Sequence, residues 1–158
     1  MAGATDTARN TARVPAAPRV PSRALMSDDV GKLVLRLTLG ALILLHGIAK
    51  LQNGVDPIID AVAKVGLPPL LAYGVFIGEV LAPLLLIAGV WTRPAALVIA
   101  VNMAVAIALM HGADIATLSR SGGWAIELQA LYLAFALAVA LLGPGRYAAG
   151  RPSAPVLA

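Results

Sequence analysis

The chain has 158 residues, 59% of them hydrophobic and 13% charged, with a mean hydropathy of +0.86. Soluble domains are close to half apolar and about a quarter charged, so this composition excludes an ordinary soluble protein and puts the chain in a membrane. The net charge of +4 comes from basic residues in the tails and at the ends of apolar segments, which argues against nucleic acid as a partner. The absence of cysteine excludes internal disulfides, thiol redox pairs and cysteine-ligated metal, and no metal site is expected.

Residues 1–25 are rich in Ala, Arg, Thr and Pro and carry neither hydrophobic periodicity nor an apolar h-region. They read as a disordered tail, taken to residue 29, and as no signal peptide. Met26 opens MSDDVGKLVLRL, with Ser27 and Asp28 placed to cap a helix, so both Met1 and Met26 are candidate starts. The first apolar segment, Val30 to Leu51, is near the ~20 residues that cross a ~30 Å hydrocarbon core. Beyond it, Asp56 can cap, Pro57 suits a first helical turn, and Ile58, Val62 and Val65 recur at helical spacing. Asp60 and Lys64 stand four apart on the opposite face. That spacing predicts a short amphipathic interfacial helix ending at Gly66 and Pro68, either a lid over the bundle or a connector hugging the membrane.

Three further apolar segments follow, Leu70 to Val90, Pro94 to Met110 and Trp124 to Leu142. The expected fold is therefore all-α, an integral membrane four-helix bundle over residues 30–147, with tails at 1–29 and 148–158. The Gly89 to Pro94 turn is too short for anything but antiparallel neighbours. Arg9, Arg13, Arg19, Arg23, Lys32, Arg93, Arg146 and Arg151 fall on one side of this topology, and Lys64 and Arg120 on the other. The positive-inside rule then makes both termini cytoplasmic. Trp91 and Trp124 fall at opposite interfaces, where indole rings anchor.

The apolar segments carry polar residues that lipid does not tolerate. A charge at mid-bilayer costs several kcal/mol at least, so such groups face a protein interior or a cavity. Around the first helix Arg36 and Gly47 are about 20° apart, and His46 and Lys50 lie within about 80° of Arg36, with Gly40 on the same arc. Small residues there let another helix approach. In the second segment Glu79 stands four residues before Pro83, which cannot donate to the Glu79 carbonyl. Carboxylate and freed carbonyl then compete for donors in hydrocarbon, and a proton on Glu79 is the alternative. Asn102 lies mid-span in the third segment and Glu127 near the start of the fourth, with Gln129 on the opposite side of the wheel from Glu127. By depth, His46, Lys50 and Glu127 belong to the outer half and Glu79 and Asn102 to the middle. Arg36, Arg93 and Arg146 form an inner cationic collar, unless Arg36 and Lys50 merely snorkel and Asn102 is only an interhelical hydrogen bond.

Taken in order, Arg36-Leu37-Thr38-Leu39-Gly40, His46-Gly47 with Lys50-Leu51, Gly66-Leu67-Pro68, Gly78-Glu79, Leu84-Leu85-Leu86 with Gly89, Thr92-Arg93 with Ala95-Ala96-Leu97, and Gly143-Pro144-Gly145-Arg146-Tyr147 resemble the DoxX family of small four-span bacterial membrane proteins. The likeness runs from Val30 to Tyr147. It implies a helical bundle in the bacterial cytoplasmic membrane and a quinone-related role as a subunit of a redox complex. Under that expectation Glu79 carries protons and His46 donates or relays them. Lys50, Asn102, Glu127 and Gly47 bind the ligand, and Arg36, Pro83, Arg93 and Arg146 serve structure and topology. The expected cofactor is a quinone rather than haem, and the expected partners are lipid, a soluble redox protein and further copies of the chain. Two other readings stay open: a small-solute or proton-coupled carrier, and a membrane scaffold that recruits redox or stress-response enzymes.

Overall fold

The computed structural model describes residues 22–120 and 122–150. Among them are five α-helices: α1 (Ser22–Asn53), α2 (Asp56–Lys64), α3 (Ala82–Ala88), α4 (Thr92–Met110) and α5 (Glu127–Leu142). A 3₁₀ turn, Pro69–Gly74, and a π-helical turn, Ile77–Leu81, lead into α3 and make one apolar rod of Pro69–Ala88. The described residues contain no strand, only an isolated antiparallel bridge between Leu118 and Trp124.

Among the described residues three stretches are long and apolar enough to cross a membrane: Met26–Asn53, Pro69–Ala88 and Thr92–Met110. The expected fourth span, Trp124 to Leu142, is shorter than its sequence implies. The Leu118–Trp124 bridge and a 2.7 Å bond from the Trp124 indole N–H to the Ile115 carbonyl hold Trp124 in the preceding loop. Helix α5 therefore begins only at Glu127 and has 16 residues. At a rise of ~1.5 Å per residue it is roughly 24 Å long, short of a ~30 Å core.

The expected N-terminal tail lies outside the described residues as far as residue 21, and the expected C-terminal tail does so from residue 151. From Ser22 onward the chain is helical, so Ser27 and Asp28 sit inside α1 instead of capping it. Arg, Ala, Leu and Met at positions 23–26 are strong helix formers, enough to carry the first turn past the expected cap. At α2 the capping position falls to Val55, without a side-chain cap bond, and Asp56 and Pro57 open the helix. Pro57 lacks the N–H that a first turn leaves unpaired in any case. Asp60 and Lys64 form no ion pair here; α2 is held by apolar burial at Val62.

The packing forms a closed ring. Helix α1 lies on the π turn and α3, α3 on α4, α4 on α5, and α5 back on α1, while the backbones of the diagonal pairs stay apart. Leu39, Ile43, Leu86, Ala96, Ile99 and Ala136 meet at its centre with no exposed surface. Close approach of α1 to the rod depends on missing side chains. A Cβ on Gly40 would stand 2.7 Å from Ile87 Cγ1 and 3.3 Å from the Pro83 carbonyl oxygen, and one on Gly47 would collide with the Glu79 carbonyl. At the other side of the rod, α3 ends in a left-handed Gly89 with Gly89 N–H on the Leu86 carbonyl and Val90 N–H on Leu85. These two bonds form the Schellman closure that turns the chain sharply into α4.

At the Arg36 end the ring is tied by backbone. The Arg36 guanidinium, 2% exposed, donates from Nη1 to the Pro144 carbonyl at 3.1 Å and from Nη2 to the Tyr147 carbonyl at 3.0 Å. Asp29 Oδ1 accepts the Arg146 N–H at 3.0 Å, and the amides of Ala149 and Gly150 donate to Ala88 and Gly89. Arg36 is thus neither a snorkelling side chain nor a free charge at the surface. It satisfies carbonyls of the segment after α5, Pro144 within the Gly143–Pro144–Gly145 break and Tyr147 just beyond it. Arg93 packs over the same break, with Nε 3.1 Å from where a Cβ on Gly143 would stand. Arg146 instead leaves its side chain exposed. Orphaning a buried carbonyl costs about 1–3 kcal/mol, so Arg36→Leu should lower the melting temperature in detergent markedly, and Arg36→Lys, with one donor group in place of a fork, should fall between. Wild-type melting in Arg36→Leu would show that the knot contributes nothing.

Candidate functional site

Glu79 is 2% exposed and lies on the π turn. There the Ala82 N–H reaches back to the Ile77 carbonyl, five residues away, immediately before Pro83 removes the next donor. Wide turns of this kind recur at functional sites. The carbonyl that Pro83 cannot serve is pressed against Gly47 of α1. On the far side Gly78 lets α4 in: a Cβ there would stand 2.5 Å from Asn102 Cβ. Two glycines therefore clear the way for both neighbours to reach one carboxylate.

Both do reach it. Lys50 Nζ, at the last turn of α1, donates to both carboxylate oxygens of Glu79, and Asn102 Nδ2 donates to Oε1 at 3.2 Å. The lysine side chain is 30% exposed and the glutamate side chain 3%, so the pair is sealed on one side and open on the other. The open side is a cavity of about 600 Å³ enclosed by α1, α2, the Pro69–Ala88 rod, α4 and α5. Its wall is mostly aliphatic, with His46, Lys50, Glu79, Asn102, His111 and Tyr132 as principal polar groups. The rings of His46 and Tyr132 meet edge-on, centroids 5.7 Å apart, with the phenol oxygen 3.5 Å from His46 Nε2. Gln129 Nε2 lies 3.1 Å from His111 Nε2, and His111 Nδ1 lies 3.5 Å from Asp114 Oδ2. With the ring proton on Nδ1, the histidine accepts from the amide and faces the carboxylate. Helix α2 closes the cavity over Val55, Ile58 and Val62.

Of the residues expected from sequence, His46, Lys50, Glu79 and Asn102 share this cavity. Glu127 does not: its side chain is exposed and turned toward Gly123, 2.6 Å from the position of a Cβ there. Gly47 is buried in the contact between α1 and the rod, where it spaces helices and touches no cavity. Gln129, expected on the side of α5 away from Glu127, lines the cavity, and so does Tyr132, which the sequence did not single out although it stands three residues further on, about 60° around the helix. His111, just past the end of α4, belongs to the cavity wall as well.

A buried ion pair broken on one side leaves an uncompensated charge, typically at a cost of about 3–5 kcal/mol, whereas replacing both partners by apolar groups is often neutral. Lys50→Met should therefore destabilise the purified protein strongly, and the double variant Lys50→Met with Glu79→Leu should recover most of the loss in a thermal melt. Additive losses in the double variant would mean that the two charges do not rely on each other.

The DoxX family model matches residues 31–112, which covers α1 from its third turn onward, α2, the rod and α4. No curated protein and no solved structure matches the chain. The match takes in more than half of the sequence and every member of the Lys50–Glu79–Asn102 cluster, and with three apolar helices of membrane-spanning length the chain is a membrane protein that belongs to the DoxX family.

Proposed function

We propose that the protein is the membrane subunit of a quinone-linked oxidoreductase complex and that its cavity holds the quinone head. One observation carries this reading: a largely aliphatic cavity of about 600 Å³ into which an ion pair, two amides, two imidazoles and a phenol converge. Small-molecule sites have that composition, apolar for burial with a few placed polar groups for orientation. A bound quinone would supply the redox chemistry, taking up two electrons and two protons, the electrons coming from a redox centre on a partner protein. The chain's own residues hold the head and manage protons. Lys50 and Asn102 already point N–H donors at one oxygen pair, and they can share those donors with a ligand carbonyl. Glu79, between them, is placed to carry a proton, and His46 beside Tyr132 offers a relay toward the open side.

The proposed setting is the bacterial cytoplasmic membrane, with α5 as a fourth, short span and both termini inside. Bilayers thin around short hydrophobic segments at modest cost, which would accommodate α5. This orientation puts Lys64 and Arg120 outside and Lys32 and Arg146 inside, as the positive-inside rule favours. Because the sequence has no native cysteine, single cysteines report topology without background. In intact cells Lys64→Cys should react with a membrane-impermeant maleimide and Arg146→Cys should react only after permeabilisation; the reverse pattern would invert the protein.

The functional test is purification in mild detergent, extraction of co-purified lipids for quinone analysis, and thermal melting with added quinone. Enrichment of quinone and an upward shift of the melting temperature are expected. Glu79→Gln, which keeps an oxygen for Lys50, should stay folded and lose binding or turnover by about tenfold or more. Absence of both enrichment and shift in the wild type would remove quinone from the account.

A further inference from the structure

The ring is not closed evenly along its length. The π turn and α3 pack against α4, but the backbone of the Pro69–Gly74 turn comes close to those of α2 and the π turn and not to that of α4. The rod and α4 therefore part toward the Lys50 end, and α2, which contacts both, bridges the gap at its outer edge. Below α2 the seam is lined by side chains that belong at once to the cavity wall and to the outside of the bundle. On α4 these are Val98, Val101 and Val105, exposed by 38%, 63% and 48%, and on the rod Leu71 and Ile77, exposed by 57% and 55%. The valines fall on one helix face together with Asn102. From Val98 to His111 the cavity follows α4 for roughly 20 Å of depth, far more than a surface vestibule would need. At that depth the seam faces hydrocarbon, and side chains that face hydrocarbon and cavity alike are all aliphatic.

Charge narrows the occupant. Lys50 and Glu79 cancel, and the cavity's remaining polar groups are imidazoles, amides and a phenol. Nothing there compensates a net charge on a ligand head, and a charge left unpaired at this depth would be costly. We propose that the cavity is filled sideways from the bilayer, through the seam between Pro69–Gly74 and α4. Its occupant is a membrane-dissolved amphiphile whose uncharged polar head rests on Lys50, Glu79 and Asn102 and whose linear apolar tail leaves through the seam. This deepens the quinone reading by assigning the tail a path, and it excludes water-soluble solutes carried from one face to the other. The tail chemistry is shared by prenyl quinones and by neutral acyl lipids.

Two arms separate those sources and separate this inference from the quinone reading. In the first, the protein is reconstituted with a diacylglycerol bearing a diazirine near the end of one acyl chain, irradiated, and mapped by peptide mass spectrometry. Adducts are expected on the interior residues Met103 and Tyr132 as well as on the rim at Val101. Filling the seam with Val98→Phe and Val101→Phe, or with Ile77→Phe, should reduce the interior adducts several-fold and leave those on outward-facing Leu141 unchanged. Adducts confined to outward-facing residues in the wild type, or interior adducts undiminished in the filled variants, would overturn the proposal. In the second arm, thermal shifts are compared for a long-tailed prenyl quinone and a tailless benzoquinone. The long-tailed compound should stabilise the wild type at concentrations about tenfold lower, an advantage lost in the filled variants. Equal potency of the two compounds overturns the path. Interior lipid adducts with no shift from either quinone uphold the path and overturn the quinone.

Discussion

A carboxylate in hydrocarbon must be paired, and the pairing of Glu79 determines how this bundle is built. No single helix can satisfy it. Its oxygens take a lysine from α1 and an amide from α4, so three elements far apart in sequence are drawn to one point. For that approach the sequence gives up side chains on both flanks, at Gly47 and Gly78. The site and the fold are consequently one object: the contacts that assemble the helices at mid-depth are the same contacts that present polar groups to the cavity.

The Arg36 end solves a different problem with a similar device. There the polar groups to be satisfied are backbone carbonyls of the segment after α5, and the donor is again a cation on α1. Helix α1 thus carries a buried or half-buried cation near each end of the bundle, one answering a side chain and the other answering the main chain. The first leaves an opening beside it, because Lys50 is partly exposed. The second is sealed, with the residues after α5 laid back across the Gly89 turn. One end of the bundle is thus tied shut by backbone, and the other opens onto the cavity.

Much of this was legible because hydrocarbon leaves few choices. Three apolar segments each carried polar residues in the middle or the outer half of the span, and groups that cannot face lipid can only face one another; hence Glu79, Lys50, His46 and Asn102. Pro83 four residues after Glu79 pointed to disturbed hydrogen bonding, and the disturbance takes the form of a π turn. What escaped was set by tertiary context. The partners of Arg36 are carbonyls more than a hundred residues away, and any carbonyl looks alike in sequence. Glu127 is acidic and near the right depth, but the loop that delays the start of α5 leaves it outside the cavity. Tyr132 was passed over because an aromatic in an apolar helix looks like core, although Gln129 on the same face marked that side as polar.

The π turn has one more consequence, for phase. In a regular α-helix Glu79 and Leu86, seven residues apart, would share a face to within about 20°. An extra residue in one turn rotates everything before it by roughly 100° relative to everything after it. The rod therefore runs on two independent clocks: its α3 half keeps Leu86 in the dry centre of the ring, while the half from Pro69 to Glu79 is turned to serve the cavity. Deletion of Val80, which is no part of the wall, would change no chemistry there, yet it would swing the whole wall away from Lys50.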